Sequence, residues 1–419
     1  MNQTKCMISG SERLVQFLDL GSQPNGNCFP DAAGKAHEIK YPMSMSVCLD
    51  SWLVQIDDFP PPEVVFTNHP YVTGLNVPIV KHFRGLSRHI VEKFELAPQS
   101  LVIDIGANDG TFLSAFRDLG MRTLGVDPGQ RTGKLARSNG LLVCETFWNH
   151  TTGRSLRALN VSPSLITATA VFYHVPDLHE FVRGLAEVMT DNTIFATQCV
   201  YLKDVIQKLQ FDHFYHEHTC IYSLKPLQQL FAQHKMRLID VDFYDVHGGS
   251  FVLYVAKETS PLPTSQKIAA AIAAEEKAGL FKLETYHEFT RKVVHNCRQL
   301  VALLEDLKAQ NKTVYALGAP LKGSTLLNYC KIGPYLVSQA VEVNKFKIGR
   351  FTPGTHIPII GEDQVEKEPD YYLVLAWNFL DYFVEKHQKY LQSGGNFIVP
   401  NPQVGVVDKD GFKEWKQSD

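Results

Sequence analysis

Apolar residues recur at helical spacing between Ile79 and Phe94, and after Pro98 the pattern changes to the run Leu101-Val102-Ile103-Asp104-Ile105. The first pattern predicts an amphipathic helix, and the second a buried parallel strand that Gly106 ends. Thr111 to Leu119 again has helical spacing. Arg122 to Val126 reads as the next strand, and Leu165 to Val171 and Thr193 to Gln198 as later strands separated by a helical stretch, Leu178 to Val188. Strands alternating with helices imply a parallel, doubly wound sheet. Upstream, the chain lacks clear periodicity and carries turn signals at Gly21-Ser22-Gln23-Pro24 and Pro60-Pro61-Pro62, which indicates a small irregular module. Downstream of the linker Ser260-Pro261-Leu262-Pro263, a long helical pattern runs from Gln266 to Lys308, and Thr313 to Gly318 opens a second strand, turn and helix series.

The length, 419 residues, exceeds what one core ordinarily holds. The periodicity divides it into a module at 1–75, an α/β domain at 76–258 and a second α/β domain at 259–419. A hydrophobic share of 44% and an aromatic share of 11% are globular values. The net charge is -3 and no run of Lys or Arg exceeds two residues, so no nucleic-acid partner is expected. No apolar stretch is long enough to span a bilayer, and Met1 to Gln16 mixes Lys5, Glu12 and Arg13 without a signal-peptide core. The expectation is a soluble cytoplasmic protein without a membrane partner. Cys6, Cys28, Cys48, Cys144, Cys199, Cys220, Cys297 and Cys330 are scattered, with neither a disulfide framework nor a C-x-x-C redox pair, and are expected to be reduced thiols.

The segment Asp104-Ile105-Gly106-Ala107-Asn108-Asp109-Gly110 lies between a predicted strand and a predicted helix, where glycine lets backbone amides approach a ligand. Its spacing is D-x-G-x-x-x-G rather than the G-x-G-x-x-G of dinucleotide enzymes. It is the usual turn around the amino-acid part of S-adenosylmethionine in a Rossmann-like methyltransferase domain. Asp127, in Gly125-Val126-Asp127-Pro128, ends the second strand and is placed to accept hydrogen bonds from ribose hydroxyls. The competing reading is that Gly106 and Gly110 only permit a tight turn and that Asp127 caps a helix. A second glycine turn, Gly318 to Ser324, is not a P-loop, because Lys322 precedes Gly323 instead of following it.

Tyr215-His216-Glu217-His218 gathers four polar side chains. His216 and His218 at alternate positions point to opposite faces of a strand, so no metal site is expected there. A polar run without chemistry is one reading. General acid/base work is the other: His218 can take a proton, Glu217 can fix its tautomer, and Tyr215 can donate to a developing oxyanion.

These segments resemble the nucleotide-sugar C-methyltransferases that make branched 3-C-methyl deoxysugars. The resemblance runs through Phe17 to Gly21, Asp104 to Gly110, Val171 to Leu178, Phe211 to His218, His247-Gly248-Gly249-Ser250, Gly318 to Gly323, Thr325 to Cys330, Pro353 to Pro358 and Ala376-Trp377-Asn378. It implies a zinc-binding N-terminal module, a central S-adenosylmethionine-dependent methyltransferase domain and a C-terminal Rossmann-like domain that helps hold a nucleotide sugar. It implies catalytic roles for Tyr215, Glu217 and His218, and cofactor contacts at Tyr71, Pro128 and His174 besides the turn and Asp127. Substrate contacts are implied at Tyr201, His247, Lys322, Asn328 and Asn378. The reaction it implies is removal of a proton beside a 4-keto group and attack of the enolate on the cofactor's methyl carbon, by a monomer or small homo-oligomer.

The sequence departs from that pattern in two places. The two C-x-x-C pairs of the zinc module read Cys6-Met7-Ile8-Ser9 and Cys48-Leu49-Asp50-Ser51, each lacking one thiolate, and serine is a poor zinc ligand. The expectation is that packing replaces the metal, with Cys28, His37 or His69 the alternative completions of a remodelled site. On the substrate side the departures are Thr169-Ala170, Gln198-Cys199-Val200-Tyr201 and Phe251-Val252 after the His-Gly-Gly-Ser motif. They leave an altered substrate, a catalytically silent scaffold and a proton-transfer enzyme such as an epimerase as competing readings.

Overall fold

The computed structural model describes residues 3–66 and 71–416. Three sheets organise the chain. The first is antiparallel and pairs Leu14–Pro24 with Lys40–Cys48 and the latter with Val54–Ile56; a short strand from mid-chain, Cys220–Ile221, completes its edge. The stretch without clear periodicity is therefore a sheet. The register shifts between Gln16 and Leu18 and between Asp19 and Ser22, and such bulges interrupt the two-residue alternation by which a strand is read.

The central sheet has seven strands, in the order Met236–Tyr244, Ser250–Lys257, Ile194–Val200, Leu165–Thr169, Leu101–Ile105, Arg122–Val126 and Val143–Cys144. The last five run parallel, and the first two add an antiparallel edge. Strand order reverses beside Leu101–Ile105, and in doubly wound sheets ligands bind at such a switch point, beyond the carboxyl ends of the strands. The third sheet repeats the logic with Ile359–Gly361, Gln339–Glu342, Val314–Leu317, Tyr371–Val374 and Asn396–Val399 in parallel, followed by antiparallel Gly405–Asp408 and Gly411–Glu414.

The expected helix from Gln266 to Lys308 is two helices, Gln266–Lys277 and Leu283–Ala309. Gly279 adopts φ +78 between them, and its carbonyl accepts a bond of 2.8 Å from the Thr285 hydroxyl. A left-handed residue ends a helix while the apolar spacing continues beyond it. The second helix buries Tyr286, Phe289, Val293, Leu300 and Leu304. Its first turns meet Phe17 of the N-terminal sheet, at ring distances of 5.1 Å for Tyr286 and 6.4 Å for Phe289. Phe17 also touches Phe214 at 6.2 Å, so one aromatic group ties the N-terminal sheet and the long helix to the segment that carries Tyr215 and His218. No helix among the described residues is long and apolar enough to cross a membrane.

Candidate active site

The strand Leu101–Ile105 ends in a turn whose conformation requires its glycines. Gly106 and Gly110 have φ of +73 and +79, and a Cβ on either would lie 2.2 Å from Val171 or 2.1 Å from Leu141. Asp104 is buried, accepts the Thr167 hydroxyl at 2.6 Å, and is pushed up to about 7 chiefly by burial. Asp127 accepts the Asn108 amide at 2.8 Å on one oxygen and the Gly129 amide at 2.7 Å on the other. The Thr132 hydroxyl lies 3.4 Å from that second oxygen, and a carboxylate oxygen can take more than one donor.

Asp104, Gly106, Asn108, Asp127, Pro128, Tyr71 and His174 all line one cleft of about 1640 Å³. Asp109 and Gly110 do not. Asp109 accepts the Gly74 amide at 2.8 Å and the Thr111 hydroxyl at 2.7 Å, and Gly110 packs on Leu141, so these two shape the turn. Asn108 also fastens the segment before the helix Val77–Lys93: its side-chain oxygen accepts the Thr73 amide at 3.0 Å, and its nitrogen donates to the Tyr71 carbonyl at 3.2 Å.

The segment Phe211 to His218 reaches the same cleft, which His213, Tyr215, Glu217 and His218 line. The Thr219 hydroxyl contacts the Tyr173 and Val175 carbonyls at 3.1 and 3.0 Å and holds the segment to the turn carrying His174. His218 Nδ1 lies 2.7 Å from the His213 carbonyl, which can only accept, so Nδ1 carries the hydrogen and Nε2 a lone pair. Fixing the tautomer, the part expected of Glu217, thus falls to a main-chain oxygen. Burial, then the nearby His174 and His213, hold His218 well below the usual imidazole range, so it is neutral. The Tyr215 ring lies 3.8 Å from the His218 ring, and its hydroxyl is driven far up by burial and stays protonated. The His174 ring stacks on His218 at 5.2 Å. His216 turns away towards the Pro42 carbonyl, 3.2 Å from it, so the two histidines of the His-x-His pair part company.

Several contacts between distant positions had no local signal in the sequence. Asn27, from the N-terminal module, donates to Glu217 Oε1. Asp212 is wholly buried, accepts the Trp377 indole at 2.8 Å and lies 4.0 Å from the Lys322 ammonium. Lys322 donates to Asn378 Oδ1 and sits 4.5 Å above the Trp377 ring, and burial brings it down to about 8. Lys322, Asn378 and His247 line the cleft, with His247 lowered to about 4 by burial and by Lys322.

Tyr201 and Asn328, expected at the substrate, do not line the cleft. Tyr201 packs against Phe243 and Phe251 with its hydroxyl beside Glu275. Asn328 donates to the Ser324 and Pro353 carbonyls at 2.8 and 2.9 Å and joins two loops.

In the N-terminal module Cys6, Ser9, Cys48 and Ser51 converge. Cys6 Sγ is 3.1 Å from the Ser51 hydroxyl, and the Ser9 hydroxyl is 3.6 Å from Cys48 Sγ. Two thiols and two hydroxyls do not fit a closed zinc site, whose four ligands are thiolates, imidazoles or carboxylates. No cluster of three or more His, Cys, Asp or Glu able to hold a metal occurs among the described residues. Cys28 instead neighbours Glu38 and Glu217, His37 is exposed, and His69 lies outside the described residues.

Three family models match the chain in order: a putative zinc binding domain over residues 6–66, a methyltransferase domain over residues 81–240, and a C-methyltransferase C-terminal domain over residues 245–402. C-methyltransferase NovU of Streptomyces niveus is 31% identical over 408 residues, which cover 97% of this chain and 97% of that protein. Among solved structures, the magnesium protoporphyrin IX methyltransferase of Synechocystis PCC 6803 with bound SAM is 12% identical, covering 43% of this chain and 81% of its own, with a TM-score of 0.33. YcgJ of Bacillus subtilis is 18% identical, covering 42% and 96%, with a TM-score of 0.31. With matching models in sequence from residue 6 to residue 402 and a relative aligned over nearly its whole length, the chain belongs to the C-methyltransferase family.

Proposed function

We propose that the protein methylates the carbon beside the keto group of a nucleotide-linked 4-keto deoxysugar, with S-adenosylmethionine as donor. One observation carries the reading: the neutral His218, its tautomer fixed, lines the same cleft as Asp104, Gly106 and Asp127. A base and a cofactor turn facing one cavity suit deprotonation followed by transfer at a single carbon.

S-adenosylmethionine supplies an electrophilic methyl group when bound. On this reading Asp127 receives the ribose hydroxyls, Asp104 faces the amino-acid end, and Gly106 and Asn108 form the floor. Tyr71, Pro128 and His174 close the sides. His218 Nε2 removes the proton beside the keto group, and the His213 carbonyl steadies the imidazolium that forms. The Tyr215 hydroxyl, fully protonated, donates to the enolate oxygen. Glu217, held by Asn27, adds negative charge near the imidazolium. Lys322, Asn378 and His247 form the substrate wall. Thr169, Ala170 and Val200 also line the cleft, which supports a substrate that differs from that of the patterned family.

Incubation with S-adenosylmethionine and a panel of nucleoside-diphosphate 4-keto sugars, read by mass, tests the reading. A gain of one methylene unit is the expected result. If no sugar gains mass although the cofactor binds, the proposed reaction is wrong. Exchange of the carbon's hydrogen with solvent, without methyl transfer, marks a proton-transfer enzyme instead.

A further inference from the structure

Glu217 lines the cleft and is 6% exposed, so bulk water barely solvates its carboxyl. A buried carboxylate that lacks donors or a countercharge takes up a proton. Cys28, Tyr173 on the turn Phe172–His174, and Tyr215 and His216 on its own segment all face it, with Glu38 beyond Cys28. Burial raises the thiol and both phenols and lowers the imidazole, so these four are uncharged near neutral pH. None of the four lends Glu217 a positive charge, and its own charge rests on hydrogen-bond donors. Asn27 Nδ2 is one of them, from 190 positions away.

The loop that carries Asn27 fixes it in place. The Cys28 amide donates to the Asn25 carbonyl at 3.0 Å and the Asn27 amide to Asn25 Oδ1 at 3.1 Å, which closes a tight turn. Gly26 lies against Leu321, the residue before Lys322, and a Cβ there would come within 3.0 Å of that side chain. Past the turn the C-terminal domain grips the chain. Arg350 donates to the Phe29 carbonyl at 2.9 Å, the Phe351 amide donates to the Pro30 carbonyl at 2.9 Å, and the Lys347 ammonium sits 4.8 Å above the Phe29 ring. Asn27 and Phe29 line the cleft together with Glu217. The turn is wedged between the C-terminal domain and the segment that carries His218, and a backbone fixed in this way presents its amide at little further cost in entropy.

We propose that Asn27 is a positioning residue that acts through Glu217: its amide holds the carboxylate charged at the cleft wall, so that the N-terminal module supplies part of the active site. The inference rests on the function proposed above and assigns the module a role in it. Asn27 touches no reacting atom, and no bond to it forms or breaks. As His218 Nε2 takes the proton from carbon, the electron pair shifts to the keto oxygen, and the Glu217 charge stabilises the imidazolium. Without the Asn27 amide that charge is neutralised or turned away, which raises the barrier to deprotonation and leaves substrate binding in place.

The test is deuterium uptake in D2O at the carbon beside the keto group. The probe is thymidine-diphosphate-linked 4-keto-6-deoxyglucose, with the rest of the panel as alternates and S-adenosylhomocysteine bound. Asn27→Ala is expected to lower the exchange kcat on the order of 10-fold, the weight of one hydrogen bond to a charged group, with KM and S-adenosylhomocysteine affinity unchanged. Asn27→Asp gives a readout that a purely structural role would not move. Protonated, the aspartic acid donates to Glu217 as the amide did; ionised, it sets two carboxylates side by side, and each raises the other's affinity for a proton. The ratio of its kcat to that of wild type is therefore expected to climb as pD falls from about 8 to about 6. If Asn27→Asp fails to bind S-adenosylhomocysteine and so has lost its fold, Asn27→Ser, which returns a donor, is expected to recover part of the kcat that Asn27→Ala loses. Equal exchange by wild type and Asn27→Ala, an Asn27→Asp ratio independent of pD, or in its stead a serine variant no faster than alanine overturns this proposal alone. A wild type that binds S-adenosylhomocysteine yet exchanges no sugar in the panel overturns the proposed function and this inference with it.

Discussion

His218 gives its Nδ1 hydrogen to the main-chain oxygen of His213 across 2.7 Å. No substitution at position 213 removes that acceptor, so the tautomer survives any side-chain change there, and loss of the base itself has to be tested at His218. His218→Asn is expected to keep cofactor affinity and lose about two to four orders of magnitude in turnover, the usual range for a general base. Burial and the neighbouring His174 and His213 disfavour the charged form, so protonation comes only at a pH below the ordinary 6.5. With both substrates saturating, kcat is expected to stay level as pH falls through 6.5 and to decline further down. An acid limb at or above that value in the pH–rate profile would show that another group is the base.

Asp104 gives a second pH dependence of opposite origin. Burial raises its carboxyl to about 7, the nearby Asp127 adds to the rise, and the Thr167 hydroxyl opposes it. A bound cofactor's ammonium favours the carboxylate, so binding drives off the proton that Asp104 holds below that pH. Affinity for S-adenosylmethionine is therefore expected to weaken as pH falls from 7, and Asp104→Asn to flatten the curve at a lower affinity. Calorimetry in two buffers of different ionisation heat reads the released proton directly. A wild-type affinity independent of pH between 5.5 and 7.5 would place the ammonium elsewhere.

The sequence carries some of this plainly because the signals are local. Leu101–Ile105 and Arg122–Val126 occupy the positions that their apolar runs predict, and Tyr215, Glu217 and His218 are close in space partly because they are close in the chain. What escapes is long-range. Asn27 meets Glu217 across 190 positions and Trp377 meets Asp212 across 165, and no periodicity records either pairing. The break at Gly279 escapes for a different reason, since apolar residues resume at helical spacing after it and a pattern average runs over the turn.

The N-terminal knot makes a constructive prediction. Cys6, Ser9, Cys48 and Ser51 already converge, so the double variant Ser9→Cys, Ser51→Cys places four thiols at one point. Four thiolates form a closed tetrahedral zinc site. Metal analysis after growth with zinc is expected to find about one zinc per chain in the double variant and a substoichiometric amount in the wild type. Absence of zinc from the double variant would show that the backbone no longer has the geometry of a metal site. One tightly held zinc in the wild type would show that hydroxyls or other residues complete it.

Glu275 yields a stability prediction that does not depend on any ligand. It projects from the helix Gln266–Lys277, is wholly buried, and accepts the Leu224 amide at 2.7 Å and the Lys225 amide at 3.4 Å. Those are the first amides of the helix Leu224–Gln233, whose own N-cap, Ser223, makes no side-chain capping bond. A carboxylate from another part of the chain thus does the capping. Glu275→Ala leaves buried amides unsatisfied and is expected to destabilise the fold by about 1–3 kcal/mol, the penalty for such a loss. The pH dependence follows from its raised carboxyl, at about 7 against an ordinary 4.5. Between those values the folded chain holds a proton that the unfolded chain has released, so the stabilisation is complete below 4.5 and is lost as pH rises through 7. Glu275→Gln cannot ionise and escapes that loss. Thermal melts of wild type and Glu275→Gln at a series of pH values are therefore expected to converge, or to cross in favour of glutamine, as pH climbs from 5 to 8. A wild type that gains on the glutamine variant over that range would mean that the buried carboxylate is stabilised by charge in the fold, and that the helix-capping amides outweigh its burial.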